Sequence, residues 1–176
     1  LVNAYIRSAG MIRQAERVAE ELCSRGADVR IVKNGDFLAE VRKNDLFIAQ
    51  NMDFAVYLDK DKYLPQVLES RGVRLFNSAR AVELCDDKML TYLALAGKGL
   101  NLPDTVAAPL CYYADAAVRE DYLRSVAARL GFPLVAKKSF GSWGMDVRLV
   151  QDFSSLRAVA EEFKLFPHLY QMRVGK

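Results

Sequence analysis

Apolar and polar positions along the first part of the chain predict strands and helices in turn. Apolar runs of strand length are separated by helical spacings of apolar residues and by glycines at helix ends. The predicted strands are residues 1–6, 27–33, 45–49 and 73–76, and the predicted helices are residues 12–23 and Tyr63–Ser70. A strand, helix, strand, strand, helix, strand order favours a parallel sheet flanked by helices. We therefore expect an open α/β domain over residues 1–76.

The rest of the chain predicts a different arrangement. Two helical stretches come first, and Asp86 or Asp87 is placed to cap the second of them. These helices, residues 79–84 and 88–96, precede a strand at 105–108, a helix at 116–130, the strand pair Leu134–Lys138 and Val147–Val150, a helix near 156–163 and a closing strand at 169–174. We expect a helical connection over residues 77–101 and a small α+β layer over residues 102–176.

Composition narrows the class of protein. Hydrophobic residues make up 52% of the chain and charged residues 27%, and the net charge of +3 is interspersed, with no basic tract to bind nucleic acid. No apolar run approaches the ~20 residues that a membrane span needs. The three cysteines, Cys23, Cys85 and Cys111, are far apart, which favours reduced, buried thiols over disulfides or a metal site. We expect a soluble, cytoplasmic protein whose two ends look cut.

The stretch from Pro133 to Val147 carries the most informative candidate chemistry. Lys137 lies near the end of a predicted strand, and a loop containing Gly141 and Gly144 leads directly into the next strand. Glycines let the backbone approach an anion closely, and a strand lysine supplies a point charge for the same anion. On spacing alone, a surface hairpin with two solvated lysines is the favoured interpretation, because G-x-x-G is common. No G-x-x-x-x-G-K-[ST] motif is present, and no G-x-G-x-x-G motif follows the first strand, which disfavours a dinucleotide cofactor.

An ordered set of motifs resembles the ATP-grasp superfamily, and among its members the RimK-like glutamate ligases, with D-alanine–D-alanine ligase more distant. The resemblance covers nearly the whole chain. It includes an Asp-Lys pair that opens a helix, a Leu-Pro-x-Thr segment, a Pro-Leu-Val-Ala-Lys strand and a Gly-Ser-Trp-Gly loop; these are Asp87-Lys88, residues 102–105, 133–137 and 141–144.

The resemblance implies a role for each of these residues. Lys88 and Lys137 would hold the phosphates of ATP, and Lys138, on the opposite strand face, would not. The phosphate loop would consist of Gly141, Ser142, Trp143 and Gly144, and the adenine hinge would contain Gln171, Met172 and Val174. From the residues alone, an exposed lysine at a helix start stays open for Lys88, and a packing anchor stays open for Trp143. For His168 a surface residue at a strand start is favoured over a catalytic base.

The resemblance also implies an activity. ATP-grasp ligases join a carboxylate to an amine through an acyl-phosphate. The expected partners are therefore ATP, Mg²⁺, a small-molecule or peptide carboxylate and an amine acceptor. We expect no binding to nucleic acid or to a membrane, and a homo-oligomer stays open. Residues 1–76 would be a Rossmann-like pre-ATP-grasp domain, and residues 102–176 the N-terminal subdomain of the grasp. We expect no metal ligands within this chain, which should be inactive alone. The alternative is a non-catalytic nucleotide-binding module or split subunit, which departures from the family pattern at Asp146 and Met172 would fit.

Overall fold

The computed structural model describes residues 1–48 and 51–175, so Ala49, Gln50 and Lys176 lie outside the described residues. The chain divides into two units, Leu1–Glu83 and Leu84–Lys176. The predicted α/β fold class is confirmed. The finer division into residues 1–76, 77–101 and 102–176 stays a prediction.

The first unit combines helices with short parallel pairings. Strands β3 and β4 pair in parallel, and Val2 forms parallel bridges to Lys33 on one side and to Leu58 on the other. Leu64 and Leu68 of helix α2 are buried in a core that also contains residues of β3 and β4. The elements are α1 (Ala9–Ser24), β1 (Glu40–Arg42), β2 (Asp45–Phe47), β3 (Phe54–Val56), α2 (Tyr63–Ser70), β4 (Arg74–Phe76) and α3 (Ala79–Asp86), the last of which continues into the second unit.

Several predicted strands of this unit are corrected by the structure. The strands expected at residues 1–6 and 27–33 reduce to the single bridges at Val2 and Lys33. The strand expected at 45–49 is not a buried parallel strand: β2 pairs antiparallel with β1, and Phe47 is 37% exposed. The cause is a tight turn at Lys43 and Asn44, whose φ angles of 49° and 63° are those of a two-residue hairpin. The prediction for Ala49 falls outside the described residues.

The second unit contains a four-stranded antiparallel sheet in the order β5-β8-β6-β7. One face of the sheet, with Leu134, Ala136 and Tyr170, is buried in a core with residues of helices α5 and α6. Because side chains alternate along a strand, Lys137 lies on the other face. The elements are α4 (Lys88–Leu95), β5 (Thr105–Ala107), α5 (Glu120–Leu130), β6 (Leu134–Lys138), β7 (Val147–Val150), α6 (Phe153–Phe163) and β8 (His168–Met172).

Most bounds of this unit agree with the prediction. Strands β6 and β7 have the predicted ends, and Asp87 caps α4, its carboxylate accepting from the N–H groups of Met89 (2.8 Å) and Leu90 (3.1 Å). Helix α5 begins at Glu120 and not at residue 116, and two acidic residues in its first turn favour that start. Strand β8 ends at Met172 and not at residue 174.

Two of the three cysteines contradict the expectation of buried thiols. Cys23 and Cys85 are exposed, and Cys111 is partly buried. Among the helices of the described residues, none has both the length and the apolar character that crossing a bilayer requires.

Candidate functional site

The loop between β6 and β7 depends on glycine at two positions. Gly141 and Gly144 have φ angles of 112° and 72°, a region that favours glycine. A Cβ atom at Gly141 would lie 3.1 Å from the Asp146 carboxylate, so a side chain there would also crowd the loop. Residues 141–145 are exposed. The loop therefore presents an open, glycine-dependent backbone directly after the strand that carries Lys137.

Lys88 is attached to this loop through both its backbone and its side chain. Its N–H donates to the Ser139 carbonyl at 2.9 Å, and its Nζ donates to the carbonyls of Gly141 (2.8 Å) and Ser139 (3.4 Å). The interpretation of Lys88 as a merely exposed residue is therefore wrong. Lys88, the first residue of α4, and Ser139, which directly follows β6, are 51 positions apart in the sequence and are joined by these hydrogen bonds.

Lys137 donates from Nζ to the Gln171 side-chain oxygen at 2.6 Å. Gln171 is only 4% exposed, and its amide N–H donates to the Thr105 hydroxyl at 2.8 Å. That hydroxyl in turn donates to the Pro103 carbonyl at 2.9 Å. This side-chain connection was missed by the sequence analysis, which placed Gln171 in the adenine hinge. The available signal was a Gln and a Thr in otherwise apolar strands, but the register that joins them to Lys137 is a tertiary property.

Lys138 lies on the opposite face of β6 and has different partners. Its Nζ is 3.0 Å from the Asp146 carboxylate and 4.3 Å from the centre of the Phe166 ring. The Asp146 charge, which stands where the family often has glycine, is therefore paired with a cation within the hairpin. Lys137 and Lys138 point to opposite sides, as predicted, and the assignment of the phosphate role to Lys137 stays a prediction.

The remaining predicted site residues are mostly exposed. Trp143 is 95% exposed, so it is no packing anchor within the described chain, and its φ of 62° is unfavourable for a bulky residue. Ser142 lies in the same exposed loop. In the predicted hinge, Met172 is 41% exposed and its N–H donates to the Asp104 carbonyl at 2.8 Å, whereas Val174 lies beyond the end of β8.

His168 is not the surface residue that the sequence favoured. It is 4% exposed because it projects from β8 toward the face that the helices cover, where its ring meets Phe163 edge-on. Its Nδ1 lies 2.8 Å from the Phe166 carbonyl and its Nε2 lies 3.0 Å from the Tyr170 hydroxyl. A carbonyl only accepts, so Nδ1 carries the proton and Nε2 accepts from Tyr170. Burial lowers the pKa of His168 by more than the bond to the carbonyl raises it.

This burial predicts a pH-dependent stability. A histidine whose pKa is lower in the folded than in the unfolded protein stabilises the fold at a pH above about 6.5, and loses that contribution as the pH falls through the lowered pKa. We expect the free energy of unfolding, measured by urea denaturation from pH 8 to pH 5, to fall toward pH 5. Because His168 is the chain's single histidine, the variant His168→Gln should lose this component; an unchanged slope in the variant would contradict the assignment.

The geometry suits a ligand with several anionic oxygens. An ammonium has three N–H donors, and the bond from Lys137 to Gln171 uses one of them. The loop groups that contact Lys88 are the carbonyls of Ser139 and Gly141, which hold its ammonium beside the end of β6. No group of three His, Cys, Asp or Glu side chains that would hold a metal ion occurs among the described residues. The assignment of Lys88, Lys137 and the loop to phosphate groups stays a prediction.

Comparisons with known proteins find both sequence relatives and structural neighbours of the chain. The chain is 37% identical over 103 residues to the glutamate–LysW ligase ArgX of Sulfolobus acidocaldarius, a match that covers 58% of this chain and 33% of that protein. It superposes over 99% of its length on a RimK domain ATP-grasp protein of Sphaerobacter thermophilus, with a TM-score of 0.71, 20% identity and 63% of that chain covered.

A third comparison involves a nucleotide complex. The chain superposes on the ADP complex of an N5-carboxyaminoimidazole ribonucleotide synthetase with a TM-score of 0.54 and 16% identity, over 69% of this chain and 30% of that one. The two structural likenesses show the fold. No protein-family model matches the chain. The chain spans about a third of the length of the curated relatives that it matches first.

Proposed function

We propose, from the premise that the chain belongs to the RimK-like ATP-grasp proteins, that it forms the ATP-gripping part of a carboxylate–amine ligase. The observation that supports this most directly is the attachment of Lys88 to the glycine loop that follows the Lys137 strand. In the proposed site, Lys88 and Lys137 hold the ATP phosphates and the loop of residues 141–144 covers them. The segment from Gln171 to Val174 lies against the adenine.

The proposed chemistry needs little from these residues beyond position and charge. Phosphoryl transfer is catalysed mainly by alignment and by neutralisation of charge on the phosphate oxygens. Mg²⁺, when bound to the whole protein with ATP, would share in neutralising the charge of the phosphates. Lys88 and Lys137 supply the positive charge that belongs to this chain. The carboxylate and the amine are proposed as classes only, consistent with the ligase name of the relative that is 37% identical.

A non-catalytic nucleotide-binding module is the alternative proposal. Asp146 favours it, because this carboxylate stands in the loop that would face phosphates. Its pairing with Lys138 at 3.0 Å lessens the repulsion. The two proposals share the nucleotide site and differ only in turnover, so they are separated by an assay of product and not of binding.

The experiment uses the full-length protein with Mg²⁺. Binding of a non-hydrolysable ATP analogue is measured by calorimetry, and release of ADP is followed with glutamate together with a panel of carboxylates and a panel of amines, because glutamate can serve as either partner. The ligase proposal expects analogue binding and ADP release that depends on both added substrates. Binding without such release supports the module. Absence of analogue binding contradicts both proposals.

A further inference from the structure

A row of polar groups crosses the face of the sheet that carries Lys137, opposite the face packed against helices α5 and α6. It runs from Lys137 on β6 through Gln171 on β8 and Thr105 on β5 to the Pro103 carbonyl, with successive distances of 2.6, 2.8 and 2.9 Å. The sheet register fixes this row, because Gln171 is the direct partner of Thr105 on one side and of Val135 on the other. Lys137 is therefore the diagonal neighbour of Gln171 on the same face.

The donors and acceptors of this row allow only one direction of hydrogen-bond donation along it. The Pro103 carbonyl can only accept, so the Thr105 hydroxyl must give it a proton. The Thr105 oxygen is then left to accept, and it takes the N–H of the Gln171 amide. The amide oxygen must consequently face Lys137, whose ammonium can only donate. The orientation of the Gln171 side chain is thus set by Thr105 and Pro103.

We infer that Gln171 is a positioning residue for Lys137 and that Thr105 is the residue that holds Gln171 in the required orientation. This inference rests on the proposed function of Lys137 as a phosphate ligand. It also gives a physical role to the Leu-Pro-x-Thr segment of the chain, which the proposed nucleotide contacts leave without one.

The role follows from the properties of a lysine side chain. Its four-carbon stem has many rotamers, and ordering it when ATP arrives costs conformational entropy. One hydrogen bond to a buried amide restricts the stem beforehand and leaves two N–H groups for phosphate oxygens. An amide is neutral, so it orients the ammonium without cancelling its charge. A carboxylate at position 171 would orient Lys137 equally well but would neutralise it.

Four variants of the full-length protein test the row by their affinity for an ATP analogue with Mg²⁺. Thr105→Val removes the hydroxyl at nearly constant shape and frees the Gln171 amide to turn. Gln171→Leu removes the amide itself. Each variant should weaken binding of the analogue about tenfold, the scale of one lost hydrogen bond to a charged group. Thr105→Ser keeps the hydroxyl and should bind like the wild type. Gln171→Glu should also weaken binding, because it pairs with Lys137.

A double-mutant cycle separates positioning from a general effect on the fold. If Gln171 acts through Lys137, Gln171→Leu should add nearly nothing to the loss caused by Lys137→Ala. Independent, additive losses would overturn the inference, as would equal affinities of Thr105→Ser and Thr105→Val. The exposed Gln151, changed to leucine, is the matched control and should leave the affinity unchanged.

The outcomes also distinguish this inference from the proposed function. If Lys137→Ala leaves the affinity unchanged, Lys137 is not a phosphate ligand and the proposed site fails, and the inference fails with it. If Lys137→Ala weakens binding but Gln171→Leu and Thr105→Val do not, the site stands and the positioning role alone is overturned.

Discussion

Replacing Lys137 with alanine should weaken binding of the ATP analogue by about 2–5 kcal/mol, the usual cost of truncating one partner of a buried, hydrogen-bonded charge contact. The ammonium is the group that the proposed site offers to the phosphates from the centre of the sheet. Its loss also leaves the buried Gln171 oxygen without its donor, since the two atoms are 2.6 Å apart. Calorimetric titration of the full-length protein with the analogue and Mg²⁺ measures the effect.

Two other lysines serve as controls for this variant. Lys138→Ala removes a cation one residue away that faces the other side of β6 and pairs with Asp146. Lys98→Ala removes an exposed cation just beyond α4. The Lys98 variant should bind like the wild type. The Lys138 variant should lose far less affinity than Lys137→Ala, and equal losses at positions 137 and 138 would mean a general dependence on charge and not a site on one face.

The hairpin of β6 and β7 could be predicted from the sequence because its signals are local. An alternating apolar strand, a glycine loop and a second strand follow one another between Leu134 and Val150, and both strand ends agree with the structure. The cap at Asp87 is equally local, since a side chain that accepts from N–H groups two and three residues onward needs no distant partner. The resemblance added the long-range element, the meeting of Lys88 with the loop.

The first unit was harder to predict because its strands are short and their pairing is not local. A strand of three residues, such as β3, carries too little alternation to be distinguished from a loop. The hairpin of β1 and β2 depends on Lys43 and Asn44 adopting positive φ, and only Asn is a common signal for that conformation. An apolar run such as residues 45–48 was therefore assigned to a buried strand on hydrophobicity alone.

The side-chain connections of the site could not be predicted because they depend on sheet register. A shift of one residue between β8 and β6 would move Gln171 to the helix-covered face and His168 to the face that carries Lys137. The same register that brings Gln171 to Lys137 therefore buries His168 beside Phe163, and one structural fact explains both the missed contact and the wrong surface assignment.

The helix-covered face should dominate the stability of the second unit, and Phe163→Ala tests this. Phe163 is fully buried, and its ring lies edge-on to His168 and 5.2 Å from the Lys138 ammonium. Deleting a buried phenylalanine ring typically costs about 3–5 kcal/mol. We expect the free energy of exchange of the β6 and β8 amides, measured by native-state hydrogen exchange, to fall by this amount.

Phe166 provides the matched control, because its ring also lies over Lys138, at 4.3 Å, but is 50% exposed. Phe166→Ala should lower the same protection by less than about 1 kcal/mol, since it leaves no cavity in the core. Because Phe163 lies on the face opposite Lys137, its loss should reduce ATP affinity only through the fraction of unfolded protein. A fall in ATP affinity with unchanged amide protection would instead mean that changes in the helix-covered face directly affect the proposed nucleotide site. The assignment of separate roles to the two faces of the sheet would then be wrong.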